Sequence, residues 1–350
     1  MGRFSGLCAG ITLIAALQGG AAHGGEYPVS SGNKWEHLSA AGVGGAEGVV
    51  AGPDGAIYLV DNTHSLPSPH GSSTVLRYDP KSRQTTKVLE PSEGANGMAI
   101  SPSGNVIVCE SGYDGGRDIV ERDLANFATK KRVLTSNYQG KRFTSPNDLA
   151  LDSKGRIYFT DARFSQKETP ELPNAVYRLD PDSKLTQLDT GVLRPNGIEI
   201  SPDGKRLYVA ATVVDSLLPN PLGPTTDRYG FTFGGVAVFD LAEDGSISNG
   251  RSFWRNDQGL VDGTAMDTEG NLYVAVTNLK TYNQIAVISP LGELLEALPL
   301  PAPTAEGAVV PQPVNLGFGR GEDAHSLYLA TKRPWGLWRL KTTKTGFNQF

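Results

Sequence analysis

Six copies of one short phrase predict that this chain of 350 residues is all-β and folds as a six-bladed β-propeller, with four antiparallel strands per blade. Each copy joins a turn to an apolar run, as in GPDGAIYLVD (52–61), SPDGKRLYVA (201–210) and DTEGNLYVAV (267–276). A polar residue precedes every copy, and these residues recur at intervals of 49 to 66 positions. Each interval has room for several strand-like runs separated by Gly, Pro, Asp or Asn.

The third blade shows the four-strand pattern most clearly. Its runs are DLALD (148–152), RIYFTD (156–161), AVYRLD (175–180) and LTQLD (185–189). The same pattern predicts four strands in each of blades 1, 2, 4 and 5. Blade 6 has only three such runs, because its last residues, TTKTGFNQF (342–350), are a weak strand candidate. We expect KWEHLSA (34–40) to supply the missing outer strand and close the ring, since an unpaired sheet edge is a liability.

The first 22 residues differ from the rest and predict a secretory signal peptide. Arg3 precedes an apolar run from Leu7 to Leu17, and small residues follow it. The run is too short for a comfortable membrane span, which makes a retained anchor the weaker alternative. We therefore expect residues 26–350 to form one propeller domain in a secreted or periplasmic protein. Cys109 would be its single cysteine, so no internal disulfide is expected, and its apolar surroundings predict a buried thiol.

Composition and motifs exclude several functions. Thirty-seven acidic residues outnumber 32 basic ones, and the net charge of −5 argues against nucleic-acid binding. The chain has no G-x-S-x-G elbow, no H-E-x-x-H helix and no phosphate-binding loop. The expected partner is a small molecule, with no membrane contact after signal removal, and we expect a monomer.

The polar residue that leads each blade predicts a site. In a propeller, six equivalent positions converge on one axis, and here they share a face with the loops between second and third strands. The longest of these loops, 212–234, is a candidate wall or lid. We name the six polar leaders the axial residues: Glu47, Asn96, Asn147, Asn196, Asp262 and Asn315.

The axial residues offer carboxylate and amide oxygens, which are the ligands of hard cations. The set favours one divalent metal ion, with Ca²⁺ preferred and Zn²⁺, Mg²⁺ and Mn²⁺ as alternatives. A simpler interpretation is that the Asx-Gly pairs at 96–97, 196–197 and 262–263 are turn formers. Turn chemistry would not select Glu47, however, so the site interpretation is favoured.

Several segments resemble the regucalcin/gluconolactonase (SMP-30) family. They include GAEGVVAGPDGAIYLVD (45–61), RPNGIEISPDGKRLYVA (194–210) and VDGTAMDTEGNLYVAV (261–276), and the resemblance covers roughly residues 40–341. It implies a six-bladed propeller with one metal ion at the top of its channel. It also implies roles for particular residues: Glu47, Asn196 and Asp262 as metal ligands, Asn147 as a ligand or substrate contact, and Arg142 as a substrate-side arginine. The chain departs from the family at Ser111, where many members carry His, and in its long 212–234 loop.

The resemblance and the axial residues together predict a secreted, metal-dependent hydrolase that opens a sugar lactone or related cyclic ester. In this hypothesis a metal polarises the carbonyl, and Asp262 either takes a proton from the attacking water or serves only as a ligand. The expected substrate contacts are Asn96, Arg142, Asn147, Arg163 and Asn315. Two alternatives stay open, namely a non-catalytic binding propeller and a metal-dependent phosphotriesterase with the same metal ligands.

Overall fold

The structure is a computed structural model, and it describes residues 34–39, 46–61, 73–112, 115–129, 131–213, 222, 227–277, 283–301, 310–332 and 336–350. Residues 1–22, for which a signal peptide is predicted, lie outside these ranges. Most of the 212–234 loop also lies outside them, so its role as a wall or lid stays a prediction.

Six four-stranded antiparallel sheets confirm the predicted propeller. Blade 1 consists of β2 (Ala46–Ala51), β3 (Ile57–Asp61), β4 (Thr74–Asp79) and β5 (Gln84–Leu89). Blade 2 consists of β6 (Ala95–Ile100), β7 (Val106–Glu110), β8 (Ile119–Arg122) and β9 (Lys131–Thr135). Blade 3 consists of β12 (Pro146–Leu151), β13 (Ile157–Asp161), β14 (Ala175–Leu179) and β15 (Leu185–Leu188). Blade 4 consists of β16 (Pro195–Ile200), β17 (Arg206–Thr212), β18 (Gly234–Leu241) and β19 (Ile247–Asn256). Blade 5 consists of β20 (Leu260–Met266), β21 (Leu272–Thr277), β22 (Asn283–Ile288) and β23 (Leu294–Pro299).

Blade 6 takes its outer strand from the N-terminal side of the chain, as predicted. Its sheet contains β24 (Gln312–Phe318), β25 (Ser326–Lys332), β26 (Gly336–Lys341) and β1 (Glu36–Ser39). The β1 strand runs antiparallel to β26, and His37 stacks on Trp338 with 4.3 Å between ring centroids. Glu36 also reaches beyond the blade, because it pairs with Arg339 on β26 and with Arg83 of blade 1. The β1 strand, which we call the clasp, therefore contacts both blade 6 and blade 1, the two blades that meet where the ring closes (the seam).

The core is divided among the interfaces between blades. Among the described residues, six apolar clusters are found, one between each pair of neighbouring blades. Tyr158 and Phe239, for example, belong to the cluster between blades 3 and 4 and are almost fully buried. Cys109 lies in the cluster between blades 2 and 3, where burial raises the pKa of its thiol. The expectation of a buried cysteine is confirmed.

Three small elements were not predicted. A two-stranded hairpin, β10 (Asn137–Tyr138) and β11 (Lys141–Arg142), precedes blade 3, and 3₁₀ helices span Leu124–Asn126 and Gly321–Asp323. These elements are two or three residues long, which is too short to leave a periodic signal in a sequence.

The last nine residues close the channel from below. Gly346 forms an isolated bridge with Asp267, and the amide of Phe347 donates to the carbonyl of Met266 at 2.9 Å. Phe350 then packs against the clusters of blades 1 to 3, on the far side of the axis. The segment that was too weak for a strand thus crosses the ring, and the channel opens toward the axial residues.

Candidate functional site

The first strand of every blade is irregular at its axial residue. The pairing register shifts at Glu47/Val50 in blade 1, and equivalent shifts lie at or next to the axial residue in the other five blades. A β-bulge inserts an extra residue and re-aims the side chain there. A bulge at this position in every first strand is consistent with a shared, specially oriented side chain at the start of each blade.

A close approach of neighbouring first strands explains the glycines that follow four of the axial residues. A Cβ atom on Gly97 would lie 2.6 Å from the carbonyl oxygen of Asn147, and one on Gly197 would lie 2.7 Å from that of Asp262. Both glycines lie within strands β6 and β16. The turn-forming interpretation of these Asx-Gly pairs is therefore wrong, because glycine is needed here for contact between blades.

Two of the predicted metal ligands, Asn196 and Asp262, are neighbours, because the Asn196 carboxamide is close enough to lower the pKa of the Asp262 carboxyl group. Asn196 is buried, and its Nδ2 also donates to Oγ1 of Thr212 at 3.0 Å. Across the axis, Glu47 is buried and its Oε1 accepts a hydrogen bond from Nζ of Lys332 at 2.5 Å. These contacts hold the side chains of Asn196 and Glu47 in place at the top of the channel.

Burial and neighbouring carboxylates raise the pKa of two acids of the site, Asp262 and Asp148. Burial, and then the charge of Glu47, raise the pKa of Asp262, while Lys332 and Asn196 act in the opposite direction. Burial likewise raises the pKa of Asp148 to about 7, with a contribution from the charges of Glu47 and Asp262. Three acids therefore share a small, poorly solvated volume, which is the electrostatic setting that a divalent cation relieves.

The residues present fit such a cation. Glu47 and Asp262 supply two negative charges, and Asn147 and Asn196 supply neutral amide oxygens, a donor set suited to a hard ion. No cluster of three or more His, Cys, Asp and Glu side chains placed to bind a metal occurs in the part of the chain that the structure describes. The proposed set depends instead on a mixture of carboxylates and amides.

The remaining predicted residues occupy different surroundings. Asn96 is half-buried at the start of β6, and the Asn315 carboxamide accepts a 3.4 Å hydrogen bond from the amide of Val49. Arg142 is exposed on the β10–β11 hairpin, where its guanidinium donates to the carbonyl of Gly116. Arg163 donates to carbonyls of its own loop, those of Ser165 and Gln166, both at 3.1 Å. Substrate roles for these residues stay predictions.

Sequence reasoning did not single out two residues of the site. Asp148 follows Asn147 directly, at the position that glycine occupies in blades 1, 2, 4 and 5, and this break in the pattern was a usable signal. Lys332 is the last residue of β25, at the start of the segment predicted as a loop on the site face, but no local pattern marks its side chain. Its contact with Glu47 depends on ring closure.

A small cavity continues below the site. Its volume is about 110 Å³, and it is lined by Asp148, Thr264 and Asn315 above and by the C-terminal residues 347–350 below. Glu199 also lines it, and burial raises the pKa of this carboxyl well above its ordinary value, with the charge of Asp148 adding to the effect.

No helix among the described residues has the length and apolar character needed to cross a bilayer.

Comparison with known proteins defines the class. The profile described as the SMP-30/Gluconolactonase/LRE-like region matches residues 104–333. The chain belongs to this family, which confirms the resemblance seen in the sequence.

Individual relatives support the assignment. The chain is 31% identical to a gluconolactonase of Zymomonas mobilis subsp. mobilis over 255 residues, which is 69% of this chain and 59% of that protein. It is 26% identical to the diisopropyl-fluorophosphatase of Loligo vulgaris over 257 residues, covering 66% and 71% of the two chains. A solved gluconolactonase from Xanthomonas campestris shares the fold with a TM-score of 0.68 at 24% identity, covering 90% of this chain and 91% of that one. The chain thus spans less than two thirds of the Zymomonas relative.

Proposed function

We propose that this chain is a secreted, metal-dependent lactone hydrolase that opens a sugar lactone or related cyclic ester. The observation that carries the proposal is the convergence of Glu47, Asn196 and Asp262 at the open end of the channel, within a family that includes gluconolactonases. Glu47, Asn147, Asn196 and Asp262 would hold the cation, for which Ca²⁺ is our first choice. The signal peptide predicted for residues 1–22 supports export.

The reaction adds water across an ester bond and releases a hydroxy acid. A bound divalent cation would polarise the carbonyl group of the lactone. Asp262 is our candidate for the base that removes a proton from the attacking water and returns it to the ring oxygen as that bond breaks. A carboxylate that is bound to the cation is a weak base, so Asp262 acts either as this base or only as a ligand. Asn96, Asn315 and Arg142 would orient the ester.

The Asp262→Asn variant separates the two roles proposed for this residue. If Asp262 is the base, the variant still binds Ca²⁺ but loses turnover by about 10²-fold or more, in keeping with the usual contribution of general-base catalysis. If Asp262 is only a ligand, Ca²⁺ binding itself weakens strongly. Unchanged binding together with unchanged turnover would reject both roles.

The function itself is tested by proton release from a panel of sugar and aliphatic lactones. Purified protein is stripped with a chelator and then reloaded with Ca²⁺, Mg²⁺, Mn²⁺ or Zn²⁺. We expect activity that disappears on stripping and returns with one of the ions. Activity that survives complete removal of metal would contradict the metal-dependent mechanism.

A second candidate function is phosphotriester hydrolysis. The 26% identity to a diisopropyl-fluorophosphatase favours it, since that relative covers 66% of this chain. Fluoride release from diisopropyl fluorophosphate is therefore measured beside the lactone panel. Turnover of the phosphate ester alone would replace the lactonase proposal, and metal binding without turnover of either class would favour a binding propeller.

A further inference from the structure

A lysine lies inside the proposed metal centre. Lys332 is the last residue of β25, and its Nζ lies 2.5 Å from Oε1 of Glu47. The two side chains differ in exposure, at 36% for Lys332 and 9% for Glu47. The ammonium group thus reaches inward from the rim of the channel to a carboxylate that is almost fully enclosed.

The ammonium group affects two of the three acids of the site, Glu47 and Asp262. It contacts Glu47 directly, and it also favours the ionised form of Asp262, in opposition to the charge of Glu47. One positive charge therefore offsets two negative charges in a volume with little solvent. A cation that binds to the same two carboxylates would have to share Glu47 with this ammonium or replace it. Sharing would place two positive groups at short range, where they repel each other, and replacement would cost the ion pair of Lys332 with Glu47.

The Lys332 side chain can move from Glu47 into the solvent. Its side chain has four rotatable carbon–carbon bonds and a well-hydrated head group, and over a third of it is exposed. It can exchange its contact with Glu47 for water without any change in the strands. Glu47 has no comparable freedom, because it is enclosed in the first strand of blade 1.

We propose that Lys332 is the resident counter-cation of the site, which neutralises Glu47 in the metal-free protein and competes with the divalent cation for that carboxylate. Lys332 thereby weakens metal affinity while it stabilises the metal-free fold. This inference rests on the proposed metal centre and assigns to Lys332 no chemical step in lactone opening.

The test compares Ca²⁺ binding and stability in wild type and Lys332→Met. Chelator-stripped protein is titrated with Ca²⁺ by isothermal titration calorimetry, and thermal unfolding is recorded with and without the ion. We expect the Kd of Lys332→Met to fall at least tenfold. The Tm of the stripped variant should fall below that of stripped wild type, and the difference should shrink when both proteins are loaded.

Three further variants make the result specific. Lys332→Gln is a second neutral replacement in case the methionine variant folds poorly, and Lys332→Arg keeps the charge and should keep the Kd within about threefold of wild type. Lys341→Met is the matched control, because Lys341 pairs with Asp323 at the opposite end of the β25–β26 hairpin. Its substitution should leave Ca²⁺ affinity unchanged.

The outcomes separate this inference from the proposed function. Equal or weaker Ca²⁺ binding by the neutral variants, beside measurable binding by wild type, overturns the counter-cation role alone. Absence of binding in wild type and variants overturns the metal centre together with the inference. Tighter binding by both neutral variants, with Lys332→Arg and Lys341→Met unchanged, supports competition at Glu47.

Discussion

The packing of Gly97 against the next blade makes a sharp prediction about stability and about the site. In the Gly97→Ala variant the new Cβ atom would lie 2.6 Å from three atoms: the carbonyl oxygen of Asn147 and the Cα and Oδ1 atoms of Asp148. Ordinary contact begins near 3.4 Å, so the strands must separate by up to about 0.8 Å. Two of the three atoms belong to the backbone and cannot move by a change of rotamer.

The expected cost follows from this geometry. Overpacking in a close-packed region costs about 1 to 3 kcal/mol, and contacts with backbone lie at the upper end of that range. We therefore expect the free energy of unfolding of Gly97→Ala to fall by about 3 kcal/mol. Because the displaced strand carries Asn147, we also expect Ca²⁺ affinity to fall about tenfold or more, since metal centres tolerate only small errors in ligand position.

Denaturant unfolding of stripped protein and calorimetric titration with Ca²⁺ measure the two effects. Gly204→Ala is the control, because its Cβ would meet nothing within 4 Å while its φ of +69° causes backbone strain. It should lose about 1 to 2 kcal/mol of stability and keep its Ca²⁺ affinity. Wild-type stability in Gly97→Ala would refute the contact argument, and lost stability with unchanged affinity would refute the link from this contact to the site.

Three further predictions concern the ring and its buried charge. Glu36→Ala removes the ion pairs with Arg339 and Arg83 across the seam, and we expect a loss of about 1 kcal/mol in denaturant unfolding; an unchanged midpoint would argue against the seam contact. Phe350→Ala should cost about 1 to 3 kcal/mol and speed amide exchange in the C-terminal segment, because the ring is half-buried beneath the channel; equal exchange rates would contradict a role in closing it. Burial raises the pKa of Asp161 to about 7, so the folded state binds a proton that the unfolded state releases near pH 4. The contribution of Asp161 to the free energy of unfolding is thus present below about pH 4 and is lost as the pH rises to about 7. Between pH 4 and 8, the free energy of unfolding should decline less steeply with pH in Asp161→Asn than in wild type. An equal slope in both proteins would refute the raised pKa of Asp161.

The strands of all six blades were predictable because their signals are local. Each run of β-branched and aromatic residues ends at a turn, and the sixfold repeat shows which runs are equivalent. The clasp was predictable by a different route, since blade 6 lacked a strand and residues 34–40 belonged to no other blade. The short β10–β11 hairpin was not predictable, because two residues per strand leave no period to detect.

The site was predictable only in part. The six axial residues could be named from the sequence because each leads its repeat, whereas the bulges that lie at or next to them have no sequence signature of their own. The glycines beside them were visible, but the contact with Asn147 that requires Gly97 depends on the distance between two blades.

The blade count, the strand pattern, the closing strand and the axial residues could all be predicted from the sequence, since they follow from local runs and their repetition. The contacts between charged residues, in contrast, depend on how the blades pack together. Lys332 reaches Glu47 across 285 positions of the chain only because the last blade packs against the first. Asp148 becomes a buried acid because neighbouring strands exclude water from it. Such contacts depend on ring closure and desolvation, and neither property belongs to any single segment of the chain.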